Sequence, residues 1–176
     1  ADKKISNFLK IARADCFKAG IDVRTERLVV TPLTENKKYS IDSCRSVVDW
    51  VSTLSDTVGI RWFCVPLDYT EGWNHNEVSN TALEIIANYP QAFVNLIGTS
   101  GDKIDVRGVQ ASAKVIKDVS RFSNNGFDNF RVGVSLSCKP NTPFFPFSYH
   151  NGKQGFSFAL ELVDFFIDVI KSSRDQ

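Results

Sequence analysis

No methionine occurs anywhere in the chain. A translated polypeptide starts with one, so Ala1 reads as a processed terminus or as the first residue of a piece of something longer. Apolar runs stay far below the roughly 18–20 residues that a membrane-spanning helix needs, and the first ten positions contain no signal-peptide core. Charge of one sign is missing as well: 21 Lys and Arg face 20 Asp and Glu, a formal net charge of +1. These charges are spread along the chain, which removes the basic patch expected of a binder of nucleic acid or anionic membrane. The four cysteines, Cys16, Cys44, Cys64 and Cys138, form no C-x-x-C pair and have no histidine at zinc spacing. They are expected to be reduced thiols in a cytoplasmic protein. No G-x-G-x-x-G follows a strand, no G-x-x-x-x-G-K-S/T occurs and no G-x-S-x-G elbow is present, which argues against dinucleotide binding of the familiar kind, P-loop hydrolysis and serine hydrolase chemistry.

What is present is a chain 43% hydrophobic and 23% charged, enough to bury one core and too uniform to cut, so residues 1–176 read as a single domain. One unit recurs. Ile5, Phe8, Leu9, Ala12, Cys16 and Phe17 keep helical spacing and Gly20 stands where a left-handed cap belongs. Arg24–Thr31 is a strand, with Leu28, Val29 and Val30 continuous as in a sheet covered on both faces. Ser40 caps a second helix that Gly59 closes. Ile60–Pro66 is the second strand, and a third helix stops before Pro90 because the residue preceding proline resists the α region. Ala92–Gly98 is the third strand. A fourth helix ends near Asn125-Gly126, and Phe130–Ser137 is the fourth strand. The last helix is expected over Phe156–Lys171, with an apolar stripe wide enough to predict heavy burial. Strands that alternate with helices in this way are the signature of crossovers in a parallel sheet, so the fold class is α/β.

Loop lengths give this sheet a direction. Helix-to-strand connections are tight, whereas strand-to-helix connections are long, so irregular backbone collects at the carboxyl ends of the strands, where parallel α/β folds bind ligands. The longest of these loops is CKPNTPFFPFSYH, Cys138 to His150. Prolines and aromatics would stiffen and anchor it, presenting Asn141, Thr142, Tyr149 and His150. The second loop adds Asp68 and His75, and GTSGD adds Ser100 and Asp102, with backbone N–H groups that suit a phosphate or carboxylate. His150, Tyr149, Asp68 and His75 are the acid/base candidates; Asn141, Thr142, Ser100 and Asp102 are the ligand-binding candidates. Each has a plainer reading. His150 beside Asn151-Gly152 suits a turn, the phenylalanines suit packing, Cys138 suits an inert thiol, and loop carboxylates are usually solvated. No residue set specifies a metal or a cofactor.

The segment FRVGVSLSCKPNTPFFPFSYHNGKQGFSFALELVDFF resembles the signature of the domain of unknown function 711 family, pyruvate formate-lyase-like proteins in which a strand enters an N/G-T/S-P-F-F-P-x-x-Y-H loop and then an F-x-x-x-L-E helix. Asn141, Thr142, Pro143, Phe144, Phe145, Pro146, Tyr149 and His150 match, and Phe158, Ala159 and Glu161 continue the match. The resemblance implies a parallel-stranded barrel of the glycyl radical enzyme kind, of which this chain would form an incomplete part. It does not imply radical chemistry, because no R-V-x-G-Y loop and no adjacent cysteine pair occur, and fold does not transfer function.

Two functions remain open. One is an enzyme or binder of a small polar metabolite at the strand carboxyl ends. The other is a regulatory or structural protein whose proline-aromatic loop closes the barrel; burial of Tyr149 and His150 against backbone would favour it. Open sheet edges further lead us to expect a partner, either the remainder of the barrel or another copy of the chain.

Overall fold

A computed structural model describes residues 2–33, 40–101, 103–147 and 149–174. The elements run α1 (Asp2–Lys18), β1 (Arg27–Val29), α2 (Ile41–Val58), β2 (Trp62–Asp68), α3 (His75–Asn88), β3 (Ala92–Ile97), β4 (Thr99–Ser100), β5 (Lys103–Ile104), α4 (Val106–Val119), a 3-10 segment (Asn124–Arg131), β6 (Val132–Ser135) and α5 (Val163–Arg174). Local chemistry accounts for the boundaries. Ser40 accepts from the Ser43 N–H at the start of α2, and Gly59 ends that helix at φ 73° with its N–H on the Asp56 and Ser55 carbonyls. Asn74 caps α3 and Asp105 caps α4. The turn at Asn125 and Gly126 has φ of 63° and 68°, the left-handed region that Asn and Gly tolerate.

The main sheet is parallel throughout, in the order β1-β2-β3-β6. The order never reverses, and the strands place one set of side chains against one layer of helices. Phe63, Val65, Leu67, Ala92, Val94 and Leu96 form the core with Val48 and Val51 of α2, Val78, Ile85 and Ile86 of α3, and Val115 and Val119 of α4. Strand alternation then sends Val29, Cys64, Pro66, Asp68, Phe93, Asn95, Ile97, Gly133 and Ser135 to the opposite face. The sheet is therefore open, wound in one direction, with helices against one of its faces.

The expected strands are all present but shorter at their edges: Arg24–Thr31 contracts to Arg27–Val29 and Phe130–Ser137 to Val132–Ser135. The last helix departs most from expectation. Residues 153–162 carry no regular structure, α5 starts only at Val163, and its apolar residues are exposed rather than buried. Its period is helical, but among the described residues the stripe stays exposed, and packing rather than propensity supplies most helix stability. In GTSGD, Thr99 and Ser100 are not open loop either, since they pair antiparallel with Ile104 and Lys103.

Candidate functional site

The loop that follows β6 turns back over the sheet face opposite the helices. Its neck is closed by hydrogen bonds: the Asn141 N–H donates to the Tyr149 carbonyl at 2.7 Å, and the Tyr149 hydroxyl donates to the Cys138 carbonyl at 2.8 Å. Asn141 reaches Asn151 through its side chain at 3.4 Å, and the Thr142 hydroxyl donates to the Lys139 carbonyl at 2.6 Å. From this neck the aromatic tip descends onto the strands. Phe145 meets Phe93 edge-on at 4.8 Å between ring centroids, and the Arg27 guanidinium lies 5.0 Å over the same ring. The Cys64 thiol donates to the Pro146 carbonyl at 3.0 Å. Phe147 lies against Gly133 so closely that a Cβ there would sit 2.5 Å from the ring, so the absence of a side chain at 133 is what seats the tip.

Under the tip lies a small polar floor. Asn95 is 0% exposed and Ser135 1%, and the Ser135 hydroxyl donates to Asn95 Oδ1 at 2.8 Å. The same hydroxyl is 3.3 Å from the Phe147 carbonyl. Asn95 Nδ2 is buried and has no hydrogen-bond partner. Two other buried oxygens, of Ser55 in α2 and Asn129 in the 3-10 segment, share that state. Asn95 differs because it is a donor at the centre of a sheet, covered by an aromatic loop in place of a helix. Beside it the Cys64 thiol is raised well above its ordinary range by burial, against the lowering effect of the Asn95 backbone N–H, which makes it an inert thiol. Asp68 ends β2 on this face, with one carboxylate oxygen accepting from the Thr70 N–H and hydroxyl, both at 2.7 Å.

The helix side carries a second cluster. His75, the first residue of α3, bonds through Nε2 to Asp105 Oδ2 at 2.8 Å, and its ring stacks on Tyr69 at 5.4 Å. Tyr69 in turn bonds Ser79 at 3.0 Å. Asp105 accepts the Gly108 N–H, and this bond, with His75 adding to it against an opposing effect of burial, holds the carboxyl below its usual range. Gly108 admits the approach of Tyr69, since a Cβ there would lie 2.7 Å from Tyr69 Cβ. The cluster ties the amino ends of α3 and α4 together.

The expected site residues are therefore divided between the two faces. Asn141, Thr142 and Tyr149 are joined in the loop neck, and Asp68 shares the face on which the tip lies. His75 belongs to the helix side. His150 is half-buried and its Nδ1 accepts from the Gly152 N–H at 3.1 Å, a turn contact. Ser100 lies in β4, and Asp102 falls outside the described residues. All four cysteines are thiols. Among the described residues no group of three His, Cys, Asp or Glu could hold a metal ion, and no helix is long and apolar enough to cross a membrane. Asn95 and Ser135 escaped the sequence reading. Their signal was an amide in the middle of AFVNLIG, where a buried parallel strand should be apolar throughout.

No curated protein and no solved structure matches the chain. A family model does, along the whole of it, and its match agrees with the proline-aromatic loop whose neck and tip shape one face of the sheet: the chain belongs, over residues 1–176, to the DUF711 family, described as uncharacterised ACR.

Proposed function

We propose that this protein binds a small polar metabolite on the loop-covered face of the sheet, toward the carboxyl ends of the strands. Asn95 and Ser135 form the polar floor of that site, Asp68 stands at its rim, and Asn141, Thr142, Tyr149 and His150 belong to the loop that covers it. The single observation that carries this reading is the Asn95 side-chain amide, fully buried with an unmet donor. Such a group costs about 1–3 kcal/mol, and an apolar residue of the same shape would remove the cost. A ligand oxygen that accepts from Nδ2 gives the amide a purpose. The wall-like sheet supports a barrel whose interior this face would line, in a reducing, cytoplasmic setting that suits its thiols. No part of the reading invokes radical chemistry.

Asn95→Leu tests it. The variant should melt within a few degrees of the wild type, because the unmet donor is gone while the Ser135 hydroxyl loses its acceptor and is left with the Phe147 carbonyl, and it should lose the stabilisation that a polar metabolite confers on the wild type in a thermal-shift panel. If no compound stabilises the wild type in an Asn95-dependent way, the reading fails.

A second reading has its own observation. The Tyr149 hydroxyl is spent on the Cys138 backbone, and Phe145 and Phe147 lie on Phe93 and Gly133, as a plug without catalytic duty would arrange them. On that reading Asn95→Leu changes stability alone.

A further inference from the structure

We infer that the ligand of the Asn95 site is a small neutral compound carrying a carbonyl beside a hydroxyl, and that it competes with the Phe147 end of the loop tip for the space over Ser135. This inference rests on the reading of Asn95 as a binding residue and adds the class of ligand and the role of the tip.

The donors and acceptors set the class. A serine hydroxyl has one proton. In Ser135 that proton points to Asn95 Oδ1 at 2.8 Å, which leaves the 3.3 Å approach to the Phe147 carbonyl a poor bond. Ser135 Oγ then has a lone pair to offer, and Asn95 Nδ2 has a proton to offer. Their complement is an acceptor oxygen for Nδ2 next to a hydroxyl that donates to Oγ. Charge is set by the surroundings. Cys64, Phe93 and Ile97 line the floor, buried, with Phe145, Pro146 and Phe147 above. Arg27 lies at the far end of the strands, over the Phe145 ring. The charged residue in register with Ser135 is Asp68, across Ile97, and it is acidic. An anion would be desolvated there with a carboxylate nearby, whereas a neutral polar ligand loses only hydrogen bonds to water that the site replaces.

The tip is built to lift. Among the described residues its polar ties to the sheet include a thiol bond to Pro146 and the long Ser135 contact to Phe147, while the neck keeps a 2.7 Å backbone bond and the 2.8 Å tyrosine bond. Phe147 remains 41% exposed and Phe144 73%, so the outer side of the tip already meets water, and raising it uncovers chiefly the floor that the ligand then covers. The neck then acts as the hinge and the tip as the cover.

The test uses the ¹⁵N-labelled chain, with the Asn95 side-chain amide signal assigned by its loss in Asn95→Leu. Glycolamide, neutral with adjacent carbonyl and hydroxyl, and glycolate, its anionic near-isostere, are titrated separately. Glycolamide should shift the Asn95 amide saturably and bind at least about tenfold tighter than glycolate, a difference of about 1.4 kcal/mol. Phe147→Ala, with Phe147→Leu as the milder companion, should tighten glycolamide binding severalfold by weakening the competitor. Equal or tighter binding of glycolate, or no shift from either probe, overturns the neutral class while the Asn95 site stands or falls on the thermal-shift panel. Unchanged affinity in both Phe147 variants overturns the competition.

Discussion

Arg131 is partly buried and Asn95 fully buried, and they differ in how completely the fold satisfies them. The Arg131 guanidinium donates to the Ile86, Tyr89 and Ala92 carbonyls and to Asp128 at 2.7 Å, closing the end of α3 and the start of β3. Arg131→Ala would leave those carbonyls and a carboxylate without their donor, and should cost about 1–3 kcal/mol in urea unfolding. Asp128 supplies the pH signature. Its hydrogen bond to Arg131 is the main reason its pKa is held below the ordinary value, as the Gly108 bond does for Asp105. A depressed carboxyl stabilises the fold fully above its unfolded value of about 4 and loses that contribution as pH falls through the folded value. Wild-type stability should therefore decline below about pH 4, and less steeply in Asp128→Asn; equal slopes would refute it. His150 Nδ1 accepts the Gly152 N–H in a turn. His150→Ala should cost about 1 kcal/mol or less, read as a melting-temperature change of a few degrees. Unfolding of that variant would make the histidine structural.

Among the elements, those set by short-range chemistry were legible beforehand and those set by tertiary partners were not. Ser40 and Gly59 mark the ends of α2 because a hydroxyl that meets an N–H and a residue that accepts φ 73° are local requirements. Ser40→Ala should cost about 1 kcal/mol, measurable by chemical denaturation. The parallel sheet was legible for a similar reason, since buried runs such as Phe63–Leu67 and Ala92–Ile97 can pack only between two covers. The loop between β6 and α5 was visible as a proline-aromatic stretch at the right end of the sheet. Its path across the strands was not, because that depends on Gly133 lying two strands from Cys64. Phe145 shows the consequence: it contacts Phe93 but is only half-buried, so Phe145→Ala should cost about 1–3 kcal/mol rather than the 3–5 typical of a fully buried ring. Gly133→Ala should dislodge Phe147, and loss of the ring-shifted NMR signals around Phe147 would show it. The site was the least legible part. Loop histidines and acids announce chemistry by type, whereas Asn95 and Ser135 matter through a register that joins β3 to β6.

At the scale of the whole molecule the four-stranded sheet is open. β1 and β6 each present an edge, and the carboxyl-terminal segment presents apolar surface. Val163, Phe166, Ile167 and Ile170 follow the i, i+3, i+4, i+7 spacing of one helix stripe, and all four are more than 40% exposed. A stripe of that width on a short helix is not stable bare in water. Charge placement on α5 indicates what covers it in solutions of this chain alone. Asp164 lies in the first turn and Lys171 near the last, symmetric about the Ile167–Asp168 bond. Two copies of α5 packed antiparallel about a two-fold axis would set Asp164 of one against Lys171 of the other while burying the apolar stripes together, the self-complementary arrangement of an isologous interface. The chain should therefore self-associate at micromolar concentration in sedimentation velocity. Ile167→Asp should shift it toward monomer, because it places a charge in the stripe. Asp164→Lys should weaken association by like-charge opposition, and the double variant Asp164→Lys, Lys171→Asp should restore it, which a non-specific apolar contact would not do. A monodisperse monomer of the wild-type chain would refute the arrangement, and association indifferent to the charge swap would refute its antiparallel geometry.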